Sequence, residues 1–321
     1  MHEKHIAVIG AGLMGHALAL VYALGGHKVC ITDSNLETLA GSKALMISAL
    51  DLLSEGGEVA ASWNHGKLSQ SVTWCKTLEE TLPGVDLVVE AISESLAAKR
   101  ALYEKLDPLL NEDCVLASNT SGLDVFPVVP ASLQKRTLMM HWYSPPYLCD
   151  LVDIAGGPYT DPKLVEEMVA LVKSLGKEPV VFKKFVPGYV ANRIQAAIRL
   201  EVFDLLDKGL VTPEDVDRSV IHGLALRIPI LGVLAKSDFS GLPLVQKITA
   251  NKSYTPPELK GNCTSLDRLL AEGNSGVRSG KGFFDWGEKN PEELFRERNK
   301  KLLKLKKTLR EIKPMLGHQT D

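Results

Sequence analysis

"HIAVIGAGLMG", residues 5–15, decides the fold. A short run of apolar and β-branched residues enters Gly10-x-Gly12-x-x-Gly15, and a helical pattern starts at once. Gly10 allows a tight turn, Gly12 lets the backbone approach a pyrophosphate, and Gly15 permits close helix–strand packing. The helix N-terminus then faces the phosphate charge. The spacing alone is a weak signal. It becomes specific between a strand and a helix with an acid at the end of the next strand. That acid is Asp33, 18 residues after Gly15 (33 − 15). Its carboxylate can accept hydrogen bonds from the adenosine ribose and would repel a 2′-phosphate. The following "SNLE" brings no arginine, so NAD is expected rather than NADP. Leu13 and Met14, within the turn, join the expected cofactor-binding set.

Outward from this turn, short β-rich runs alternate with helical patterns. Strands are expected at 5–10, 28–32, 71–75, 86–91, 114–118, 136–140 and 178–182, with helices near 14–25, 35–55, 96–110 and 161–175. Several of the strand runs are continuously apolar, as parallel strands covered on both faces require. The pattern predicts a doubly wound α/β sheet, a Rossmann-type NAD-binding domain over 1–187. Beyond Pro187-Gly188 the periodicity is helical, which predicts an all-helical C-terminal domain over 188–321. Within it, Thr212 caps a helix that begins at Pro213 and has acids in its first turn.

Composition bounds the function. The chain has 321 residues, 45% hydrophobic and 24% charged, and a net charge of −2, so nothing in its balance points to nucleic acid or a membrane surface. No apolar run reaches the roughly 18–20 residues needed to span a bilayer. Five cysteines, scattered and without a CxxC pair, argue for reduced thiols and against a zinc site. The N-terminus enters a strand without room for a secretory leader. A cytoplasmic, metal-free protein acting on a small molecule is expected.

The chemistry is expected at the carboxyl edge of the sheet, where ligands bind in such folds. Asn119 and Ser121 follow the fifth strand and His141 follows the sixth, on the same side. A hydride leaves a secondary alcohol carbon only if the hydroxyl proton is taken up, and imidazole suits that role near neutral pH. A carboxylate on the other ring nitrogen would fix its tautomer, and Asp153 on the next strand is the candidate. Ser121 and Asn192 can then hold substrate oxygens. Asn192, on the first helix past the Pro-Gly seam, is expected to face the cleft between domains. Glu94 and Lys99 lie in a loop-to-helix position at the same edge.

These pieces carry a resemblance. "GAGLMGHALA", "VVEAISESLAAK", "SNTSGL", "HWYSPP…LVDI", "VPGYVANR" and "GVRSGKGFFDW" occur in the order and spacing of the 3-hydroxyacyl-CoA dehydrogenase family, which the chain resembles over nearly its whole length. The resemblance implies NAD-linked oxidation of the 3-hydroxyl of an L-3-hydroxyacyl-CoA, with His141 as base and Asp153 as its partner. It implies Ser121 and Asn192 on the substrate, Glu94 and Lys99 near the nicotinamide half of NAD, Asn119 beside the cofactor, and a homodimer formed through the C-terminal domain. Four departures from the family pattern open a second possibility. Asp153 stands where Glu is usual, and Ser144 stands where Asn is usual. The stretch "HGLALRIPILGVL" (222–234) is long and carries Arg227, suited to a bidentate grip on a free carboxylate. The segment after the second strand offers only Lys43 and Lys67 toward a CoA phosphate. The same chemistry on a small non-CoA hydroxy carboxylate is therefore expected as the alternative, and a non-catalytic crystallin-like NAD-binding protein as a third. The basic tail, 296–313, places Leu302, Leu305, Leu309, Ile312 and Leu316 at helical spacing, and this stripe is expected to lie on its own domain or on a partner subunit.

Overall fold

The structure is a computed structural model and describes residues 2–252 and 254–315. Leu316, the last member of the stripe expected in the tail, lies outside the described residues. The chain divides into two compact units, 1–189 and 190–321.

The first unit is built on one sheet of eight strands: β1 His5–Ile9, β2 Lys28–Thr32, β3 Val72–Trp74, β4 Leu87–Glu90, β5 Val115–Ser118, β6 Thr137–Trp142, β7 Leu151–Gly156 and β8 Glu178–Phe182. Their spatial order is β3-β2-β1-β4-β5-β6-β7-β8. The strand order reverses at β1, between β2 and β4, which is the crevice-forming switch point of a doubly wound sheet. Every neighbouring pair is parallel except β6–β7. That exception has a plain cause. Only the eight residues 143–150 join β6 to β7, and a parallel return needs a crossover of a dozen or more. The chain therefore doubles back, and β7 enters antiparallel. Helix α6, Pro162–Ser174, then supplies the crossover that returns β8 parallel to β7.

The remaining helices of this unit are α1 Gly15–Leu24, α2 Leu36–Glu55, α3 His65–Ser71, α4 Leu78–Thr81 and α5 Leu96–Leu106. Their starts are fixed by polar caps: Asn35, Asn64, Thr77, Ser95 and Asp161 accept backbone N–H groups at α2, α3, α4, α5 and α6. Helix α1 has no side-chain cap; its first turn is the glycine turn itself. Ala7, Val88, Leu116 and Met139 from the strands pack with Tyr103 and Leu106 of α5 in a continuous buried cluster.

The second unit is helical: α7 Ala191–Asp207, α8 Pro213–Ser219, a π-helical turn Val220–Ala225, α9 Ile228–Leu231, α10 Leu234–Ser240, α11 Leu242–Ala250, α12 Thr264–Ala271 and α13 Pro291–Ile312. Thr212 accepts from Asp215 N at 3.2 Å, as the cap expected there. Helix α13 turns a different face inward from the stripe read in the sequence. Asn299 and Leu303 are buried, whereas Leu302, Leu305 and Ile312 are 41%, 51% and 54% exposed. Leu309 is half-buried, and Leu302 and Leu305 border a hollow with Val277 and Trp286, so its own unit covers the stripe only in part. The row turned inward includes the polar Asn299, so an apolar pattern alone does not select it.

Candidate active site

Five parallel strands, β1, β2, β4, β5 and β6, deliver their C-terminal residues to one edge of the sheet. At β1, Gly10 has φ +99°, and a Cβ there would lie 2.5 Å from the carbonyl oxygen of Ala91. A Cβ on Gly15 would fall 1.6 Å from the Gly10 carbonyl oxygen, so the turn is closed on that side. Gly12 differs, since a Cβ there meets nothing within 4 Å, and Leu13 beside it is exposed. His16 pins the turn by donating from Nδ1 to the Gly12 carbonyl at 2.7 Å. Burial lowers the pKa of His16 more than this bond raises it, so the ring is neutral at pH 7.

Asp33 braces the same turn. Its Oδ2 accepts Ala11 N at 2.7 Å and its Oδ1 accepts Asn35 N at 2.8 Å. Each oxygen keeps a lone pair for a ribose hydroxyl. A cleft of about 600 Å³ opens here, lined by Gly10, Gly12, Asp33, Ile92, Leu102 and Lys105 among others. The open face at Gly12, the acid at the β2 end and the apolar wall fit a dinucleotide. Leu102 and Lys105 reach this cleft from α5 and Ile92 from the segment between β4 and α5, a wall that no local spacing marks.

Glu90 and Lys99 form the most buried ion pair in this unit. Lys99 Nζ donates to Glu90 Oε1 at 2.6 Å, and the two side chains are 1% and 0% exposed. Ile92 N donates to the same oxygen at 2.9 Å, while Tyr103 Oη and Ser118 Oγ donate to Oε2 at 2.8 and 2.6 Å. Burial, and then the Glu90 charge, push the Tyr103 phenol up, so it stays a donor. Lys99, implied near the nicotinamide half of NAD, turns its ammonium inward onto Glu90, because a lysine with so little access to solvent needs a carboxylate partner.

Glu94 is held from the β5 side: Thr120 Oγ1 donates to it at 2.5 Å, and Ser121 donates from N at 2.8 Å and from Oγ at 3.1 Å. Burial raises the Glu94 pKa, but these bonds and the charge of Lys99 together outweigh it, leaving the carboxyl below its ordinary value. Asn119 is a brace as well, its Oδ1 accepting Trp142 N at 2.9 Å. It thereby ties the β5 loop to the end of β6, one residue past His141.

His141 and Asp153 face each other as a register pair of the antiparallel β6–β7 ladder. Both are buried, and His141 Nδ1 stands 3.4 Å from Asp153 Oδ2. Tyr143 Oη donates to that same oxygen at 2.6 Å. Tyr189 stacks on the imidazole at 4.9 Å between ring centroids and 8° between planes, and Tyr143 meets it edge-on at 4.6 Å. Nδ1 is thus turned to the carboxylate, and Nε2 is the nitrogen left for a reacting group. Tyr143 and Tyr189 escaped the sequence reading, since both act through strand pairing or stacking that no local spacing reveals. Ser144 is exposed at the start of the β6–β7 link, its carbonyl accepting Cys149 Sγ at 3.5 Å.

Asn192 and Arg227 belong to the second unit. Asn192 is the second residue of α7. Arg227 sits where the π-helical turn meets α9 rather than in a long open loop, exposed, with Nε donating to the Gly223 carbonyl at 3.0 Å.

Two family models match the chain: the NAD binding domain of 3-hydroxyacyl-CoA dehydrogenase over residues 5–185, and the C-terminal domain of the same enzyme over 188–286. A 5-formyl-3-hydroxy-2-methylpyridine 4-carboxylate 5-dehydrogenase of Mesorhizobium japonicum is 29% identical over 310 residues, 95% of this chain and 98% of the relative. The mitochondrial hydroxyacyl-coenzyme A dehydrogenase of Rattus norvegicus is 32% identical over 291 residues, 88% and 91% of the two chains. A solved structure of the pyridine-carboxylate dehydrogenase, described as an NAD+-dependent dismutase, superposes with a TM-score of 0.86 at 27% identity, covering 97% of this chain and all of that one.

Proposed function

Since the chain belongs to the 3-hydroxyacyl-CoA dehydrogenase family of NAD-dependent oxidoreductases, we propose that it oxidises, reversibly, a hydroxyl-bearing carbon of a small carboxylate that carries no CoA. The observation that carries the chemistry is the buried His141–Asp153 pair, set by strand register at the edge where the glycine turn and Asp33 also lie. Bound NAD supplies the hydride acceptor. His141 Nε2 takes the hydroxyl proton as the carbonyl forms, Nδ1 remaining toward Asp153, whose negative charge offsets that of the imidazolium. Tyr189, stacked on the ring, keeps water from one face of it. Ser121 is committed to Glu94 as a donor and retains acceptor capacity for a substrate hydroxyl.

Support for a free carboxylate comes from the end-to-end likeness to the pyridine-carboxylate enzyme in both sequence and structure. The departures at Asp153, Ser144 and Arg227 point the same way. The acyl-CoA reading has in its favour the two matching family models and the 32% identity with the rat hydroxyacyl-coenzyme A dehydrogenase. NADH oxidation by the purified chain separates the two, with acetoacetyl-CoA, free acetoacetate and a formyl-pyridine carboxylate as alternative substrates. Turnover of a free carboxylate and not of the thioester is expected; fast turnover of the thioester alone would reverse the assignment. For the free acid, Arg227→Ala and Asn192→Ala are expected to raise KM about tenfold or more, the loss of one charge-assisted hydrogen bond. The helical unit exposes Leu226, Leu234 and Phe239, which supports pairing of two copies through it. Light scattering is expected to return the mass of two chains.

A further inference from the structure

Asp153 Oδ2 has two suitors of unequal standing. The Tyr143 hydroxyl reaches it at 2.6 Å, a short bond of the kind made to ionised carboxylates. His141 Nδ1 reaches the same oxygen at 3.4 Å, outside the usual N–H···O range of about 2.7–3.2 Å. Tyr143 lies two residues beyond His141 and meets its ring edge-on, so the phenol, the imidazole and the carboxylate form a closed triangle. The charged and titratable groups around the imidazole are Asp153 on β7, Tyr143 at the end of β6 and the stacked Tyr189, with the charge of Glu94 felt at Tyr189.

We propose that Tyr143 is a positioning residue that tempers His141: it holds Asp153 Oδ2 to itself and draws the carboxylate's charge away from the imidazole. The physical reason is a conflict built into a buried His–Asp pair. A carboxylate fully engaged with Nδ1 stabilises the imidazolium, and a base that arrives already protonated takes no proton from the substrate. A phenol sharing the oxygen weakens that hold while keeping the carboxylate available. As the imidazole gains the substrate's proton, the same oxygen lies on its Nδ1 side to answer the charge. This role rests on His141 acting as the base proposed above.

The test is Tyr143→Phe in the full-length chain, read in two ways. One is the pH profile of kcat/KM for NAD-linked oxidation. The other is the NMR titration of the His141 ring in histidine-labelled protein, which needs no turnover. Without the phenol, Asp153 engages Nδ1 more fully. The rising limb of the profile and the titration midpoint are then both expected to move to higher pH, by about half a unit to one unit. Below the limb kcat/KM falls about 3- to 10-fold, and the high-pH plateau is retained. Placed on an Asp153→Asn background, where turnover is lost and the NMR titration alone is read, Tyr143→Phe is expected to leave the midpoint unmoved, because its path to His141 is gone. A midpoint that stays or falls, or an equal shift on the Asp153→Asn background, overturns the proposal. A midpoint that rises in a protein that oxidises no hydroxy carboxylate or thioester leaves this inference standing and removes the proposed function. Turnover with an unmoved midpoint does the reverse.

Discussion

Glu90 and Asp153 are both buried acids on central strands of one sheet, yet their surroundings are opposite. Glu90 receives four donors, two on each oxygen, from Lys99, Ile92, Tyr103 and Ser118. Asp153 receives two, both on Oδ2 and one of them long. A carboxylate saturated on both oxygens has no valence left for chemistry and serves to lock β4, β5 and α5 together. One that is held on a single oxygen, beside an imidazole, still has an electrostatic hold to give. Two acids that a residue-by-residue reading weighs alike are thus divided into scaffold and site by their donor counts.

The sharpest way to break this contrast is to remove one partner from each. Lys99→Ala leaves a buried carboxylate unpaired and is expected to cost about 3–5 kcal/mol of folding stability in denaturant titration. Asp153→Asn is expected to cost no more than about 1–2 kcal/mol while taking turnover with it. Equal stability losses would erase the distinction. The glycine turn holds the same contrast at smaller scale. Gly15→Ala drives a Cβ into the Gly10 carbonyl, and a loss on the order of 3 kcal/mol is expected. Gly12→Ala meets open space and should change stability by less than about 0.5 kcal/mol, yet it should weaken NAD binding measured by calorimetry. The smallest effect belongs to Glu94. Its folded pKa is below the ordinary 4.5, so its contribution to stability is present above that pH and is lost as pH falls through the folded value. Glu94→Gln should therefore flatten the acid side of a plot of melting temperature against pH. An unchanged slope there would mean that Thr120 and Ser121 do not hold an ionised carboxylate.

What was legible in the sequence were features in which one local spacing has one physical outcome. Gly10, Gly12, Gly15 and Asp33 belong here, and so does Thr212 as a cap. His141 and Asp153 could be singled out because the strand pattern brings both to one end of the sheet, though only the antiparallel register shows them face to face. The Lys99–Glu90 pair was not legible, because only the packing of α5 on β4 shows this first-turn lysine turned inward. Tyr143 had no signal at all, since its partner lies ten residues away across a hairpin-like return. On α13 the apolar stripe 302, 305, 309 and 312 was legible, but the more deeply buried row through 295, 299 and 303 was not, since Asn299 breaks its apolar pattern.

The central claim is that His141 is the proton acceptor in an NAD-linked oxidation, and His141→Ala tests it most directly. With whichever carboxylate or thioester the unmodified chain turns over, the variant is expected to lose about 10²- to 10⁴-fold in kcat. Its affinity for NAD in calorimetry should stay within about twofold, since the glycine turn and Asp33 are untouched. Turnover retained within about tenfold of the unmodified chain would contradict the account.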